Sequence, residues 1–242
     1  MRGCIVVHGL TGTPACVKVV SDKLEQAGFQ VKAPCLAGHG KTVADLAQVS
    51  WEDWYSTVKQ SYFDLKNTCE QIFYAGISLG ALLGLKLALD RGSEIKALAL
   101  MGTPIQLARL EGLLVPAVRY TPLHYLIKSV KKDYLRSVAD PQGRKFYQEN
   151  SLPRIPAAAV FTLCDLQEVI LKDLKKIHNP ILLVHGALDT VAPLGNLELV
   201  KQHIASTNLQ TLILDRSKHV VTLDYQKDLV AQEITKFFEK NA

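Results

Sequence analysis

The sequence lacks the apolar runs that membrane proteins need. Its richest hydrophobic stretch, 79–89, is interrupted by Gly84 and Lys86 and falls short of the ~20 residues that cross a bilayer. The apolar run before His8 has only four residues, which is too short for the hydrophobic region of a signal peptide. We therefore expect a cytoplasmic protein without a transmembrane segment.

Cysteine is also scarce. The 242 residues include five cysteines, an odd number, and no two of them lie closer than twelve residues apart. Neither a disulfide framework nor a metal-binding cluster has such spacing. Histidine and carboxylate pairs with the spacing of metal ligands on one element are missing too. We predict reduced thiols, no metal site and no cofactor.

Strong charge of one sign is missing as well. The chain has 28 basic and 23 acidic residues, and the whole excess of +5 lies in 105–176, where 12 basic face 7 acidic residues. A dense basic stripe is absent, so we expect no nucleic-acid partner. This segment is expected to be a solvated basic face that makes at most weak contact with anionic surfaces.

The sequence does contain short β-rich runs that alternate with segments of helical period. With 48% hydrophobic residues it can bury one large core, and the alternation is typical of a parallel sheet with crossover helices. We predict an α/β fold with about six mostly parallel strands flanked by helices. The predicted strands are 4–8, 29–33, 72–75, 95–101, 181–185 and 209–214.

One connection in this pattern is too long. About eighty residues separate the fourth predicted strand from the fifth, whereas a helix with two short loops needs far fewer. Apolar clusters and prolines alternate there, so we predict a cap of short amphipathic helices at 105–176 and a core at 1–104 and 177–242. Four cap leucines are predicted to line a substrate pocket: Leu110, Leu113, Leu114 and Leu126.

The motif G-I-S-L-G at 76–80 follows a predicted strand and opens a predicted helix. This context is typical of a nucleophilic serine at a sharp strand-to-helix turn, where flanking glycines leave room. A serine hydroxyl is a weak nucleophile at neutral pH, so it needs a neutral imidazole as base and a carboxylate that orients the imidazole. Ser78 is the predicted nucleophile.

The carboxyl ends of later strands offer the other two groups. Asp189 follows the fifth predicted strand and His219 the sixth, so the chain order is serine, aspartate, histidine. Ligands of open α/β sheets bind at this edge. Asp215, four residues before His219, is the rival for the acid. The glycine-containing loop 8–13 after the first strand can supply backbone donors to an oxyanion.

Together these motifs resemble the α/β-hydrolase family, and within it the small intracellular carboxylesterase and monoacylglycerol-lipase-like branch. The resemblance rests on H-G-L-T-G-T-P at 8–14, A-G-I-S-L-G at 75–80, H-G-A-L-D at 185–189 and S-K-H-V-V-T-L-D at 217–224. It implies that Ser78 is the nucleophile, His219 the general base and Asp189 the acid. The N–H groups of Leu10 and Leu79 are the implied oxyanion hole.

The expected function is hydrolysis of a small carboxylic ester through an acyl-enzyme, by a carboxylesterase or a monoacylglycerol-lipase-like enzyme. Two alternatives stay open, namely a ligand-sensing protein of this fold with slow turnover and an esterase for aromatic acids of the cinnamoyl type. Proteolysis is a weaker alternative. The sequence predicts neither the acyl and alcohol specificity nor the oligomeric state.

Overall fold

The structure, a computed structural model, describes residues 1–242 except for the side chains of Arg109 and Leu110. Its strands are β1 (Arg2–Val7), β2 (Phe29–Lys32), β3 (Gln71–Ile77), β4 (Ile95–Met101), β5 (Ser129–Lys131), β6 (Arg154–Pro156), β7 (Ile181–Gly186) and β8 (Leu209–Leu214). Its helices are α1 (Lys18–Gln26), α2 (Val43–Ala47), α3 (Trp51–Lys66), α4 (Leu79–Arg91), α5 (Arg109–Arg119), α6 (Leu123–Leu126), α7 (Tyr134–Ser137), α8 (Pro141–Glu149), α9 (Ala157–Asp173), α10 (Gly195–His203) and α11 (Lys227–Lys240).

The main sheet has six strands in the order β2-β1-β3-β4-β7-β8, and every neighbouring pair is parallel. The predicted α/β fold with about six mostly parallel strands is therefore confirmed. The chain runs from β1 outward to β2 and returns to β3 on the other side of β1. Since the strand order reverses there, the carboxyl ends of β1 and β3 border the crevice where such sheets bind ligands.

Helices cover both faces of the sheet. One buried cluster joins the sheet to α3, α4 and α9, and a second joins the opposite face to α1 and α11. Helix α3 begins with a capping box, in which the Ser50 N–H donates to the Asp53 carboxylate at 2.8 Å. The core of the protein therefore lies on either side of the sheet, beneath the loops that carry the site.

The long insertion between β4 and β7 holds α5 to α9. It also contains a small antiparallel sheet, in which β5 pairs with β6 through Val130 opposite Ile155. The sequence pattern did not predict this sheet, because three-residue strands that contain lysine and proline show no alternation. Helix α9 packs on α3 and α4, with Leu166 and Ile170 in the main core. The division into core and cap at 105–176 stays a prediction.

Among the described residues, no helix combines the length and the apolar character that a bilayer-spanning segment requires.

Candidate active site

Ser78 lies at a strained corner between β3 and α4. Its φ of 55° and ψ of −118° lie outside the regions that side chains other than glycine favour. The flanking glycines make the corner feasible. A Cβ on Gly76 would collide with the carbonyl oxygen of Gly80, and a Cβ on Gly80 would collide with that of Val7. The corner therefore places Ser78 directly at the carboxyl end of β3 and the start of α4.

The predicted serine, histidine and aspartate come together in one hydrogen-bonded row. The Ser78 hydroxyl donates to His219 Nε2 at 2.9 Å, and His219 Nδ1–H donates to Asp189 Oδ2 at 2.7 Å. Both His219 and Asp189 are buried, with 5% and 6% of their surface exposed. This geometry lets the imidazole accept the serine proton on one nitrogen while the carboxylate stabilises the charge on the other.

Asp189 is built to stay ionised. Burial alone would raise the pKa of its carboxyl, but the charge of His219 and the hydrogen bonds from His185, His219 and the Ala192 N–H outweigh burial and hold that pKa well below its usual range. Its Oδ1 accepts from the N–H groups of Val191 and Ala192 at 2.8 and 2.9 Å. The residue thus presents one fixed oxygen to His219.

The rival acid has a different environment. Asp215 is exposed at the end of β8, and its carboxylate accepts from the Gln226 side chain at 3.0 Å. His219 Nδ1 is already bonded to Asp189. The geometry therefore favours Asp189 over Asp215 as the partner of the imidazole.

The two residues predicted to supply the oxyanion donors, Leu10 and Leu79, lie near Ser78 in the structure. Leu79 is the first residue of α4, and the first N–H groups of a helix have no acceptor within it. Leu10 lies in the loop after β1, which lines the same cavity as Ser78. The positive end of the α4 dipole faces this point as well. That Leu10 and Leu79 form an oxyanion hole stays a prediction, which the position of both residues beside Ser78 supports.

A cavity of about 510 Å³ opens above Ser78 and His219. Its walls are mainly apolar and come largely from the insertion. Representative lining residues are Leu114, Val115, Val118, Ile127, Val160 and Phe161. The size is within the ~300–1,000 Å³ of small-molecule sites.

Of the four leucines predicted to line the pocket, the structure shows one in the cavity wall. Leu114 lies in the cavity wall, whereas Leu113 and Leu126 are 68% and 81% exposed and are not among the lining residues. The helical period explains this correction, because Glu111, Leu114, Val115 and Val118 share one face of α5 and Leu113 points away from it. The side chain of Leu110 lies outside the described residues.

Sequence reasoning missed Lys132, which also lines the cavity. Its side chain is buried, its Nζ donates to the Thr11 hydroxyl at 2.5 Å, and its ammonium lies 3.7 Å from the centre of the Tyr147 ring. Burial lowers the pKa of Lys132 to about 7. A lysine in a run of polar residues normally lies on the surface, so the sequence held no signal for this position.

Two further histidines are buried at the loop after β1: His8 is its first residue, and the ring of His39 lies 5.0 Å from that of His8. The Leu36 N–H donates to His8 Nε2 at 3.1 Å, and His39 Nδ1–H donates to the Ala37 carbonyl at 3.0 Å. Burial, with the neighbouring His39, lowers the pKa of His8 to about 3, and burial lowers that of His39 to about 4. Both are neutral scaffold residues at pH 7 and support the loop.

Comparison with known proteins identifies the family of the chain. The family model described as Hydrolase_4, serine aminopeptidase S33, matches residues 2–226. The chain belongs to this family. It is 29% identical over 240 residues to the thermostable monoacylglycerol lipase of Bacillus sp. (strain H-257), which covers 99% of this chain and 91% of that protein. It is 25% identical to the carboxylesterase of Bacillus subtilis (strain 168), over 99% of this chain and 93% of that protein.

Solved structures give the same result for the fold. A structure described as "LipS and LipT, two metagenome-derived lipolytic enzymes" matches with a TM-score of 0.89 and 26% identity, over 99% of this chain and 94% of that chain. The monoacylglycerol lipase of Paleococcus ferrophilus matches with a TM-score of 0.83 and 19% identity, over 99% and 95%. The predicted α/β-hydrolase fold and family are confirmed.

Proposed function

We propose that this chain is a serine hydrolase that cleaves carboxylic esters through an acyl-enzyme and needs no cofactor. The observation that carries the proposal is the hydrogen-bonded row Ser78–His219–Asp189, with distances of 2.9 and 2.7 Å, at the floor of an apolar cavity. The family, and the names of the two Bacillus relatives, support ester cleavage as the reaction.

In the first half of this reaction, His219 Nε2 takes the proton from Ser78 as Oγ attacks the ester carbonyl carbon. Asp189 keeps the His219 ring in the required tautomer and stabilises the imidazolium. The N–H groups of Leu10 and Leu79 bind the oxygen on which negative charge develops, and such donors are usually worth ~3–4 kcal/mol each in the transition state. His219 then protonates the departing alcohol, which leaves an acyl-Ser78 ester.

In the second half, a water molecule gives its proton to His219 Nε2 and attacks the acyl carbon. The oxyanion that forms is bound by the same two N–H groups. His219 returns that proton to Ser78 Oγ as the carboxylic acid leaves. The same three side chains therefore serve both halves, and no further group is needed for the electron and proton balance.

The cavity favours an ester with an apolar acyl chain. Its volume of about 510 Å³ and its wall of aliphatic side chains, Leu114 among them, would bury such a chain and leave the ester carbonyl at Ser78. A monoacylglycerol fits this description and matches the name of one relative. An aromatic-acid ester is the second candidate within the same reaction.

Peptide cleavage fits the cavity less well, although the family description names an aminopeptidase. An aminopeptidase must bind a substrate ammonium with a free carboxylate. Of the carboxylates in the described wall, Glu111 pairs with Arg136 at 3.1 Å, and Asp133 accepts from the N–H groups of Leu135 and Arg136. Both already have partners.

The location and the surface contacts of the protein belong to the proposal too. All five cysteines are free thiols, which suits a reducing compartment such as the cytoplasm. The insertion carries the basic excess of the chain and exposes Leu113, Tyr120 and Leu126, so we include weak contact with an anionic, lipid-containing surface.

The test is turnover on a panel of esters. Purified protein is assayed on p-nitrophenyl esters of increasing acyl length, on a monoacylglycerol, on a hydroxycinnamoyl ester and on an amino-acid p-nitroanilide. Steady turnover of apolar esters with labelling of Ser78 by a fluorophosphonate is expected. A single burst of one acyl equivalent without further turnover favours a ligand sensor, and faster cleavage of the anilide than of any ester favours a peptidase.

A further inference from the structure

Lys132 is an unusual neighbour for an ester-binding cavity. Its side chain is 7% exposed, and among the described side chains no carboxylate lies within ion-pair distance of its Nζ. A buried ammonium without a counter-charge lowers the stability of the fold. Its side-chain hydrogen bond goes to the Thr11 hydroxyl at 2.5 Å. Its ammonium also lies 3.7 Å and 5.3 Å from the ring centres of Tyr147 and Tyr134, where cation–π attraction offsets part of the cost of burial. The free-energy cost of burying the Lys132 ammonium suggests that its hydrogen bond to Thr11 has a role.

Thr11 itself has an unusual backbone. Its φ is +68°, and within the described chain Ser78 is the one other non-glycine residue with a positive φ. Thr11 occupies the third position of a turn closed by the Gly12 N–H and the Gly9 carbonyl at 3.1 Å. Glycine is the usual residue at a turn position with positive φ, and a β-branched side chain is strained there. Something outside the turn must hold Thr11 in this conformation.

The holding contacts come from the insertion. The Thr11 hydroxyl accepts from Lys132 and donates to the Leu10 carbonyl at 2.5 Å, which fixes the peptide group that follows Leu10. The Thr11 carbonyl accepts from the Leu152 N–H at 2.9 Å. The Asn150 carbonyl accepts from the Thr13 hydroxyl at 3.1 Å. The turn that carries the Leu10 N–H is thus held from outside by residues far along the chain.

We propose that Lys132 is a positioning residue of the oxyanion hole, which holds Thr11 in its left-handed conformation and thereby aims the Leu10 N–H at the substrate oxygen. This inference rests on the proposed ester hydrolysis and adds a residue to it. Lys132 acts through Thr11 and does not touch the reacting atoms. Its effect is therefore confined to the transition state, where the oxyanion forms, and substrate binding stays unchanged.

The decisive variant is Lys132→Met, which keeps the length and the apolar stem but removes the donor. We expect kcat to fall by roughly 10- to 100-fold, less than the full loss of an oxyanion donor, with KM within about twofold of wild type. Inhibition by an alkylboronic acid, whose tetrahedral adduct with Ser78 uses the same hole, should weaken by a similar factor. The matched control is Lys128→Met, an exposed lysine of the same insertion.

A second background separates positioning from a general structural role. Glycine adopts positive φ without strain, so the Thr11→Gly protein no longer needs the hydrogen bond from Lys132 to hold this turn. Lys132→Met should then lower kcat by less than about threefold when it is introduced into the Thr11→Gly protein, against 10- to 100-fold in the wild type. A kcat for Lys132→Met equal to that of the Lys128→Met control overturns the proposal. So does an equal loss in both backgrounds, or a loss expressed in KM alone.

If Lys132→Met does not fold, Thr11→Val provides the test. It keeps the shape of Thr11 and removes the hydroxyl, so the same loss of kcat is expected. An unchanged kcat overturns the proposal that Lys132 positions Thr11. A wild-type protein that turns over no ester contradicts the proposed function. Active wild type with unaffected variants contradicts the role of Lys132 alone.

Discussion

The insertion between β4 and β7 contains two regions of opposite character. In 132–156 the chain is docked on the core: Lys132 and Leu152 bond to Thr11, and α8 lies so close that a Cβ on Gly143 would collide with the Leu223 carbonyl. In 111–127 the helices project large apolar side chains into solvent, with Tyr120, Tyr125 and Leu126 exposed by 74%, 71% and 81%. We call these the docked region and the exposed region.

Asp224 shows how the docked region is joined to the chemistry. Its buried carboxylate accepts from the N–H groups of Ala139 and Asp140 in the insertion, at 2.9 Å each, and from the Lys218 N–H beside His219 at 2.8 Å. The docked region is therefore part of the scaffold that positions His219. The exposed region contributes only the wall of the cavity, so substitutions in the two regions should differ greatly in their effect.

The largest effect is expected at the three residues Ser78, His219 and Asp189. Ser78→Ala removes the nucleophile, so kcat should fall by about 10⁶-fold, while the corner and the cavity stay intact. Hydrolysis of p-nitrophenyl butyrate and labelling by a fluorophosphonate measure the loss, and circular dichroism checks the fold. Labelling of another residue, or activity near that of the wild type, would remove Ser78 from its role.

The second effect concerns the acid. Asp189→Asn keeps the shape but leaves His219 in the wrong tautomer, and kcat should fall by up to ~10⁴-fold. Asp215→Asn is the matched control, because Asp215 is exposed and bonded to Gln226, and its kcat should change by less than about threefold. Both variants are measured as folded proteins on one activated ester. The reverse ranking would transfer the acid role to Asp215.

These two predictions concern residues that the sequence alone could identify. Ser78, Asp189 and His219 lie in short motifs at strand ends, and parallel strands bring their carboxyl ends to one edge. All six strands of the main sheet were predicted, and 95–101 and 209–214 have the bounds of β4 and β8. Local pattern suffices where the backbone itself places a side chain.

The remaining features depend on packing between distant segments. Lys132 and Thr11 are 121 residues apart, and nothing near either of them in the sequence indicates the bond. Leu113 and Leu114 are equally apolar, and only the rotation of α5 decides which one faces the cavity. The sheet of β5 and β6 is too short to show a period. Most of the cavity wall therefore lies in the part of the chain that sequence reasoning predicts least well.

A third prediction concerns the pH dependence of the free energy of unfolding, to which the buried His8 and His39 contribute. His8 and His39 have folded pKa values of about 3 and about 4, below the usual 6.5, mainly because they are buried. The unfolded chain thus binds protons first as pH falls, so their contribution to stability is complete above pH 6.5 and is lost towards pH 4 and pH 3. Lys132 adds to this, because its charge also lowers the pKa of His39.

The measurement is urea unfolding from pH 7 to pH 4. The free energy of unfolding should decrease over this range, and His39→Gln, which keeps a donor for the Ala37 carbonyl, should reduce the decrease by on the order of 2–3 kcal/mol. Other groups, such as Asp189, act in the same direction and cancel in the difference between the two proteins. Identical pH dependence of wild type and variant would show that His39 does not titrate in this way.

The smallest effect belongs to the exposed region and compares two adjacent leucines. The two leucines are exposed to a similar extent, 68% for Leu113 and 54% for Leu114, but Leu114 lines the cavity and Leu113 does not, so Leu114→Ser alone should weaken contact with the acyl chain. At about 0.8 kcal/mol per buried methylene, KM for an octanoyl ester should rise roughly three- to tenfold, and KM for an acetyl ester should stay within twofold. Leu113→Ser should change neither KM by more than about twofold, because a substitution on an exposed helix face has little effect. Steady-state kinetics on the two esters test this. An equal rise in KM for both variants, or for both chain lengths, would mean that Leu114 of α5 does not contact the acyl chain.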